Sequence, residues 1–315
     1  MSVGIIGAGK ALGSRIETNE DLCRTLTVTP EWIVSKTGIT QRHKVVPGET
    51  VVTLALQASQ EALRQANVPP QAIRLTIACT FTPEYLFPPL SARIHKDLKM
   101  QGGQFFDVQS NCSGLITALV IASDRMNADP SLEYTLILGA EVLSPYLDPT
   151  NPETAMFFSD AAGAVVLGRI YPKWNEGSGI VSSAFYADTS NYESVRCERQ
   201  GYMTQSGIAT WRQAVTHLPP TIRQAMSSAG WSLEDVDLVL MHQANAVLIH
   251  FLMSRLGLPV EKTFTNVETV GNSGSASLPV VIAAALEAGR LQPGMKVILA
   301  GIGAGYSFGA VCVEF

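Results

Sequence analysis

Three stretches of this sequence recur at almost one spacing, and that recurrence limits the folds open to it. "QANVPPQAIRLTIACT" (65–80) matches "SAGWSLEDVDLVLMHQ" (228–243) at an offset of 163 residues. In both, a helix ends, a short turn follows and a strand emerges. "NCSGLITALVIA" (111–122) lies over "GSASLPVVIAAA" (274–285) at the same offset, and "YTLILGAEV" (134–142) over "KVILAGIGA" (296–304) at 162. The order predicts two equivalent halves, 1–170 and 171–315, related by a pseudo-two-fold. No Pro/Gly/Ser-rich linker divides them, so they should share one core.

Within each half, strands and helices alternate, which predicts α/β layers. "GIIGAG", "LTIACT", "QFFDVQS", "YTLILGAEV" and "GAVVLGRI" read as strands. "VVTLALQASQEALRQAN" and "GLITALVIASDRMNA" carry apolar residues at three- and four-residue spacing and read as helices. Hydrophobic residues make up 46% of the chain and charged residues only 16%, so much of it must be interior or subunit interface. No apolar stretch reaches the roughly 18–20 residues that span a membrane. The N-terminus "MSVGIIGAGKALG" reads as a first strand and not as a signal peptide. A net charge of −5 without a basic block argues against nucleic acid. Five cysteines without a CxxC pair argue against a disulfide frame or zinc site and suit a reducing cytoplasm. "GAGKALG" (7–13) has the wrong glycine spacing for a dinucleotide turn, and no strand ending in an acid follows about 20 residues later.

The repeat also organises the chemistry-bearing residues. Cys112 stands where small residues turn into a helix in half one. In half two, His242 follows "VDLVLM" and Asn272 lies in "VGNSGSAS". All three are predicted at strand ends, where α/β sheets place ligands. The unpaired N–H groups of a helix N-terminus should lower the Cys112 pKa and favour its thiolate. Ser110, Ser113 and Gly114 are small enough to admit a substrate. Cys23, Cys79, Cys197 and Cys312, and His43, His95, His217 and His250, have no such context and read as structural or exposed.

"NCSG", "HQAN" (242–245) and "GNSGSAS" (271–277), with "EWIVSKTGITQRH" (31–43) and "GIGAGYSFGA" (301–310), resemble the beta-ketoacyl-acyl-carrier-protein synthase III family of the thiolase superfamily. The likeness runs from Met1 to Phe315. It implies a five-layered αβαβα fold of two duplicated halves, a homodimer and a Cys-His-Asn triad. Cys112 would accept an acyl group. His242 and Asn272 would bind the thioester oxygen of malonyl-carrier and stabilise the enolate left when CO2 departs. The enolate would then attack acyl-Cys112 in a Claisen condensation. The backbone N–H groups of Cys112 and Ala304 would form the second oxyanion hole. The family usually has three consecutive glycines here, and Ala304 interrupts them. Gly301, Gly303 and Gly305 would let backbone approach the reacting carbon.

The resemblance further implies that Trp32 stacks on the adenine of coenzyme A, and that Phe87 crosses the dimer interface to close the partner's acyl tunnel. Phe157 would line the tunnel, and Asn245, Gly303 and Gly305 would contact substrate. Acyl-carrier protein is the implied partner. Coenzyme A and phosphopantetheine thioesters enter as substrates, with no separate cofactor or metal. Two arginines that typically hold the nucleotide are replaced, by Lys36 and, in "DPTNPET", by Pro152. A basic residue common after "HQAN" is Val247 here, while Arg212 keeps a second basic docking position. These departures point to an acyl donor carried by acyl-carrier protein. The competing readings are a non-condensing acyltransferase passing the acyl group from Cys112 to an alcohol or amine, a silent partner subunit, and a cysteine hydrolase. Fatty-acid initiation and specialised polyketide-type pathways both fit a condensing enzyme.

Overall fold

Residues 2–170 and 179–315 are described by the computed structural model; residues 171–178, where the second half was expected to begin, lie outside them. Nine strands form two sheets: β1 (Ser2–Leu12), β2 (Ile73–Cys79), β3 (Gln104–Val108), β4 (Tyr134–Glu141), β5 (Ala161–Ile170), β6 (Gly179–Ala187), β7 (Leu238–Met241), β8 (Lys296–Gly303) and β9 (Ser307–Glu314). The first sheet runs β1-β5-β4-β2-β3 and the second β6-β9-β8-β7. A single parallel bridge from Val239 to Thr263 extends the second where β3 extends the first. In each sheet the inner pair is parallel (β2 with β4, β7 with β8), and the two outer pairings that follow are antiparallel. The duplication seen at offsets of 163 and 162 is therefore a duplication of topology.

The helices that complete the layers include α1 (Pro30–Thr37), α2 (Val51–Ala66), α3 (Gly114–Ala128), α4 (Gly207–Ala229), α5 (Ala246–Leu256) and α6 (Ser277–Glu287). Strand alternation assigns their places, because successive side chains face opposite sides of a sheet. In β4, Leu136, Leu138 and Ala140 join α2 in an outer core, while Ile137 joins α3 and α6. In β8, Val297 and Leu299 face the same central core, while Ile298, Ala300 and Ile302 face α4 and α5. The result is α, β, α, β, α. Helices α3 and α6 lie between the sheets and are buried on nearly every side, as their almost continuous apolar sequences require.

The N-terminal "GAGKAL" is not a turn. It runs straight through β1, and its glycines serve close packing: a Cβ on Gly7 would sit 2.6 Å from the Ala62 carbonyl oxygen of α2.

Candidate active site

β3 ends at Val108, and one 3-10 turn, Asn111–Ser113, carries Cys112 onto the N-terminus of α3. Asn111 takes a left-handed conformation, φ +48°, which an asparagine tolerates better than most residues. Its Nδ2 donates to the Ala304 carbonyl at 2.9 Å. The Ser113 hydroxyl lies 2.8 Å from both the Ser110 carbonyl and the Ser307 hydroxyl. Two of these contacts, Asn111 to Ala304 and Ser113 to Ser307, tie the cysteine turn of half one to the β8–β9 connection of half two. Gly303 completes the seam: a Cβ there would meet the Ser110 carbonyl oxygen at 2.6 Å and Ser113 Oγ at 2.7 Å. The bare Cα of Gly303 therefore makes room for the cysteine turn. Gly305, by contrast, faces open space and needs glycine for its φ of +133°.

Ala304 has no positive φ, so its side chain costs nothing there. Among the described residues, neither the Cys112 nor the Ala304 N–H donates to another residue. Both are buried-seam donors left available for a ligand oxygen.

Burial, and after it the Glu141 carboxylate, push the Cys112 thiol up to about 12; a backbone N–H bond at Cys112 only partly opposes them. The residue keeps some solvent exposure, but the sulfur itself is desolvated. This corrects the expected thiolate: a single helix terminus does not outweigh low-dielectric surroundings and a nearby carboxyl.

His242 extends β7 by one residue, its N–H donating to the Ala300 carbonyl at 2.8 Å. Gly301 follows Ala300, and a Cβ there would lie 3.6 Å from the Cys112 carbonyl oxygen, so the two catalytic candidates flank one strand end. His242 is buried, and burial brings its pKa down to about 4, so the ring is neutral near pH 7. Its Nδ1 lies 2.5 Å from the Ser277 hydroxyl at the start of α6, and that same oxygen accepts the Gln243 N–H at 3.2 Å.

Asn272 departs from the strand-end expectation. It follows the short helix Val267–Val270 and is held by a parallel bridge to Phe158, donating its N–H to the Phe157 carbonyl at 2.8 Å. The Gly274 N–H donates to Asn272 Oδ1 at 3.0 Å, which fixes the amide and turns Nδ2 into the outward donor. Ser275, three residues on, packs toward Gly114: a Cβ on that glycine would lie 3.8 Å from the Ser275 Cβ. Cys112, His242, Asn272, Gly303 and Ala304 are therefore brought together at the junction of the halves.

The remaining candidates spread outward. Phe157 is half-buried against Ile39, Ala246 and Val267, with its carbonyl on Asn272. Trp32 and Lys36 lie on α1, both exposed, and Arg212 is exposed on α4. Asn245 caps α5, its Oδ1 accepting the Leu248 N–H at 2.6 Å, so its oxygen is engaged in the fold. Pro152 opens the short helix Pro152–Ala155, where a proline ring is preorganised. Phe87 is 84% exposed and lines nothing within its own chain. The pattern reading missed Ser277, Ser275, Asn111 and Glu141. Only Glu141, an acid closing the otherwise apolar strand "YTLILGAE", left a visible mark.

The sequence family described as 3-oxoacyl-[acyl-carrier-protein (ACP)] synthase III matches residues 106–189, and its C-terminal counterpart matches 226–315. The chain is 35% identical to the beta-ketoacyl-[acyl-carrier-protein] synthase III of Aquifex aeolicus, over 100% of both chains. The crystal structure of a 3-oxoacyl-[acyl-carrier-protein] synthase III from that organism superposes with a TM-score of 0.94 at 33% identity, again covering 100% of each chain. The priming beta-ketosynthase of the R1128 polyketide biosynthetic pathway superposes at 0.93 with 27% identity, covering 99% of this chain and 96% of the other. A thiolase-type two-sheet fold, a cysteine on the first buried helix, a histidine and asparagine from the second half, and full-length likeness all agree: the chain belongs to the 3-oxoacyl-[acyl-carrier-protein] synthase III family.

Proposed function

We propose that this protein is a ketosynthase that joins an acyl group to malonyl-acyl-carrier protein by decarboxylative Claisen condensation. The observation that carries the reading is the arrangement of donors around Cys112: free backbone N–H groups on one side, a neutral imidazole and an oriented Asn272 amide on the other. Cys112 first attacks the carbonyl of an acyl thioester. A new C–S bond forms, the carrier's C–S bond breaks, and the thiol proton leaves with the carrier thiolate. The Cys112 and Ala304 N–H groups hold the tetrahedral oxyanion. Malonyl thioester then loses CO2. The bond's electron pair moves into an enolate whose oxygen accepts from His242 Nε2–H and Asn272 Nδ2–H. The enolate carbon attacks acyl-Cys112, and collapse expels the cysteine thiolate, which takes a proton from solvent.

Burial keeps the His242 ring neutral near pH 7, which suits a hydrogen-bond donor to an enolate oxygen. The test is decarboxylation and acylation measured separately. Cys112→Ala should form no acyl-enzyme. His242→Ala and Asn272→Ala should acquire the acyl group yet lose malonyl decarboxylation by about 10²–10³-fold. A normal decarboxylation rate in either would remove it as an enolate donor.

The acyl donor is proposed to arrive on acyl-carrier protein. Lys36 keeps a charge without the planar fork of an arginine, and Pro152 offers neither charge nor donor. The comparison is kcat/KM for self-acylation from coenzyme A and from carrier protein bearing one acyl group; equal values would refute the preference. Arg212→Glu should impair only the carrier-borne donor. A homodimer is proposed as well, because Tyr85, Leu86 and Phe87 form an exposed apolar run in the single chain.

A further inference from the structure

Beneath the cysteine turn lies a carboxyl group that the condensation does not use. Glu141 ends β4 and is fully buried. Its Oε2 accepts from the Thr82 hydroxyl at 2.7 Å and lies 3.4 Å from that of Thr80, and the Phe81 N–H reaches both oxygens at 3.2 and 3.3 Å. Its Oε1 lies 2.5 Å from Ser275 Oγ, which lies 2.8 Å from the Cys79 carbonyl oxygen. The Ser275 hydroxyl has one hydrogen and faces two oxygens. A carbonyl can only accept. If Ser275 donates to Cys79, the Ser275–Glu141 contact needs its proton from Glu141. If it donates to Glu141, the Cys79 oxygen meets a lone pair at hydrogen-bond distance. Among the described residues, no lysine, arginine or histidine pairs with Glu141, so a buried negative charge there would have hydrogen-bond donors but no opposite charge.

We propose that Glu141 is held as a neutral acid that donates through Ser275 to Cys79, seats the Asn272 turn beneath the cysteine helix, and keeps negative charge away from Cys112. The seating is steric as well as polar. Gly274 is left-handed at φ +59°, and a Cβ there would meet Glu141 Cγ at 3.1 Å and Phe81 Cζ at 2.8 Å. Gly114, the first residue of α3, packs as closely on Cys79, with a Cβ position 2.8 Å from the Cys79 Cβ. One hydrogen-bonded chain thus joins β4, β2 and the turn from the second half. Burial pushes the Glu141 carboxyl up to about 8. The titratable groups facing it are the Cys79 and Cys112 thiols, with Asp107 beyond Cys79; the Asp107 oxygens accept the Leu90 and Ser91 N–H groups. Glu141 is a positioning residue, and its role rests on Cys112 being the acylated nucleophile.

The test compares wild type with Glu141→Gln and Glu141→Ala. It follows iodoacetamide alkylation, mapped to Cys112 by peptide mass, from roughly pH 6 to roughly pH 10, a range that brackets the ordinary thiol pKa. Malonyl-carrier decarboxylation is followed near neutral pH. Glutamine mimics the neutral acid, so Glu141→Gln should keep decarboxylation within about threefold, while Glu141→Ala, without the seat for Asn272, should lose about tenfold or more. Above pH 8 or so, where Glu141 ionises, wild-type alkylation should fall behind Glu141→Gln, about tenfold for each unit by which the new charge raises the thiol. Superimposable pH profiles, or a folded Glu141→Gln as inactive in decarboxylation as Asn272→Ala, would overturn the proposal. Should Glu141→Gln fail to fold, infrared spectra of wild type carrying ¹³C-glutamate decide: a protonated carboxyl band near neutrality supports the proposal, and its absence refutes it. Failure of wild-type Cys112 to accept an acyl group would instead strike the condensing reading, leaving the alkylation and infrared comparisons intact.

Discussion

The Ser277 hydroxyl, 2.5 Å from His242 Nδ1, decides which imidazole nitrogen carries the proton. Its oxygen already accepts the Gln243 N–H, and among the described residues its hydrogen has no acceptor but Nδ1. Were Nδ1 protonated, the buried hydroxyl would accept twice and donate to nothing. The satisfied arrangement puts the hydrogen on Nε2, as an enolate donor requires. Ser277→Ala should lower malonyl decarboxylation about 5- to 30-fold, the equivalent of about 1–2 kcal/mol for one orienting hydrogen bond. Acylation of Cys112 should be unchanged, and Ser277→Thr should restore much of the loss. Equal decarboxylation by Ser277→Ala and wild type would show that the tautomer is set elsewhere.

His242 also makes a prediction about pH. Burial depresses its pKa from 6.5 to about 4, so the unfolded chain binds the proton more readily than the folded one between those values. Stability should therefore fall as pH drops from about 6.5 towards 4, and be fully retained above that window. Denaturant midpoints across this range should show the slope, and His242→Gln should flatten it. The decarboxylation rate should show no histidine inflection near pH 6.5.

Gly303 carries a steric prediction. An alanine there would press its Cβ onto the Ser110 carbonyl oxygen at 2.6 Å, a backbone atom held in place by the turn. Gly303→Ala should cost about 1–3 kcal/mol of stability. Acylation of Cys112 should slow, because the turn that carries it must move. Unchanged stability and acylation would mean that the seam between the halves yields freely.

Assembly is tested at residues 86 and 87. Leu86 is 74% exposed and Phe87 84%, side by side, a disposition that an isolated soluble surface rarely retains. Replacing both with aspartate should convert a dimer into a monomer in sedimentation experiments. A wild-type protein that is active and monomeric at assay concentration would contradict the proposed homodimer.

The layers were legible because apolar periodicity reports directly on burial: Val51–Ala66 and Gly114–Ala128 are helices where spacing placed them. The repeat was legible for a related reason, since equivalent strands need equivalent alternation. Cys112, His242 and Asn272 stand out through "NCSG", "HQAN" and "GNSGSAS", the runs that carry the resemblance to the family. The groups that orient them could not. Ser277 reaches His242 across 35 residues, Ser275 reaches Glu141 across 134, and Asn111 reaches Ala304 across 193. Such bonds impose no period on the chain. The expected low thiol pKa failed for the same reason: the helix terminus is local and visible, whereas the enclosing layers and Glu141 are supplied by distant sequence.

Cys112 opens onto α3, and Ser277, which steers His242, is the first residue of α6. Both helices lie between the sheets and are buried over most of their length, reaching water only near their C-terminal ends, at Asp124, Arg125, Asn127 and Ala128 of α3 and Glu287 of α6. Their amide hydrogens should be among the last to exchange with solvent, and only when the whole chain opens. The catalytic groups are thus anchored to the slowest-exchanging part of the molecule. Progressive denaturation should leave turnover intact until the cooperative transition, and then remove activity and structure in the same step.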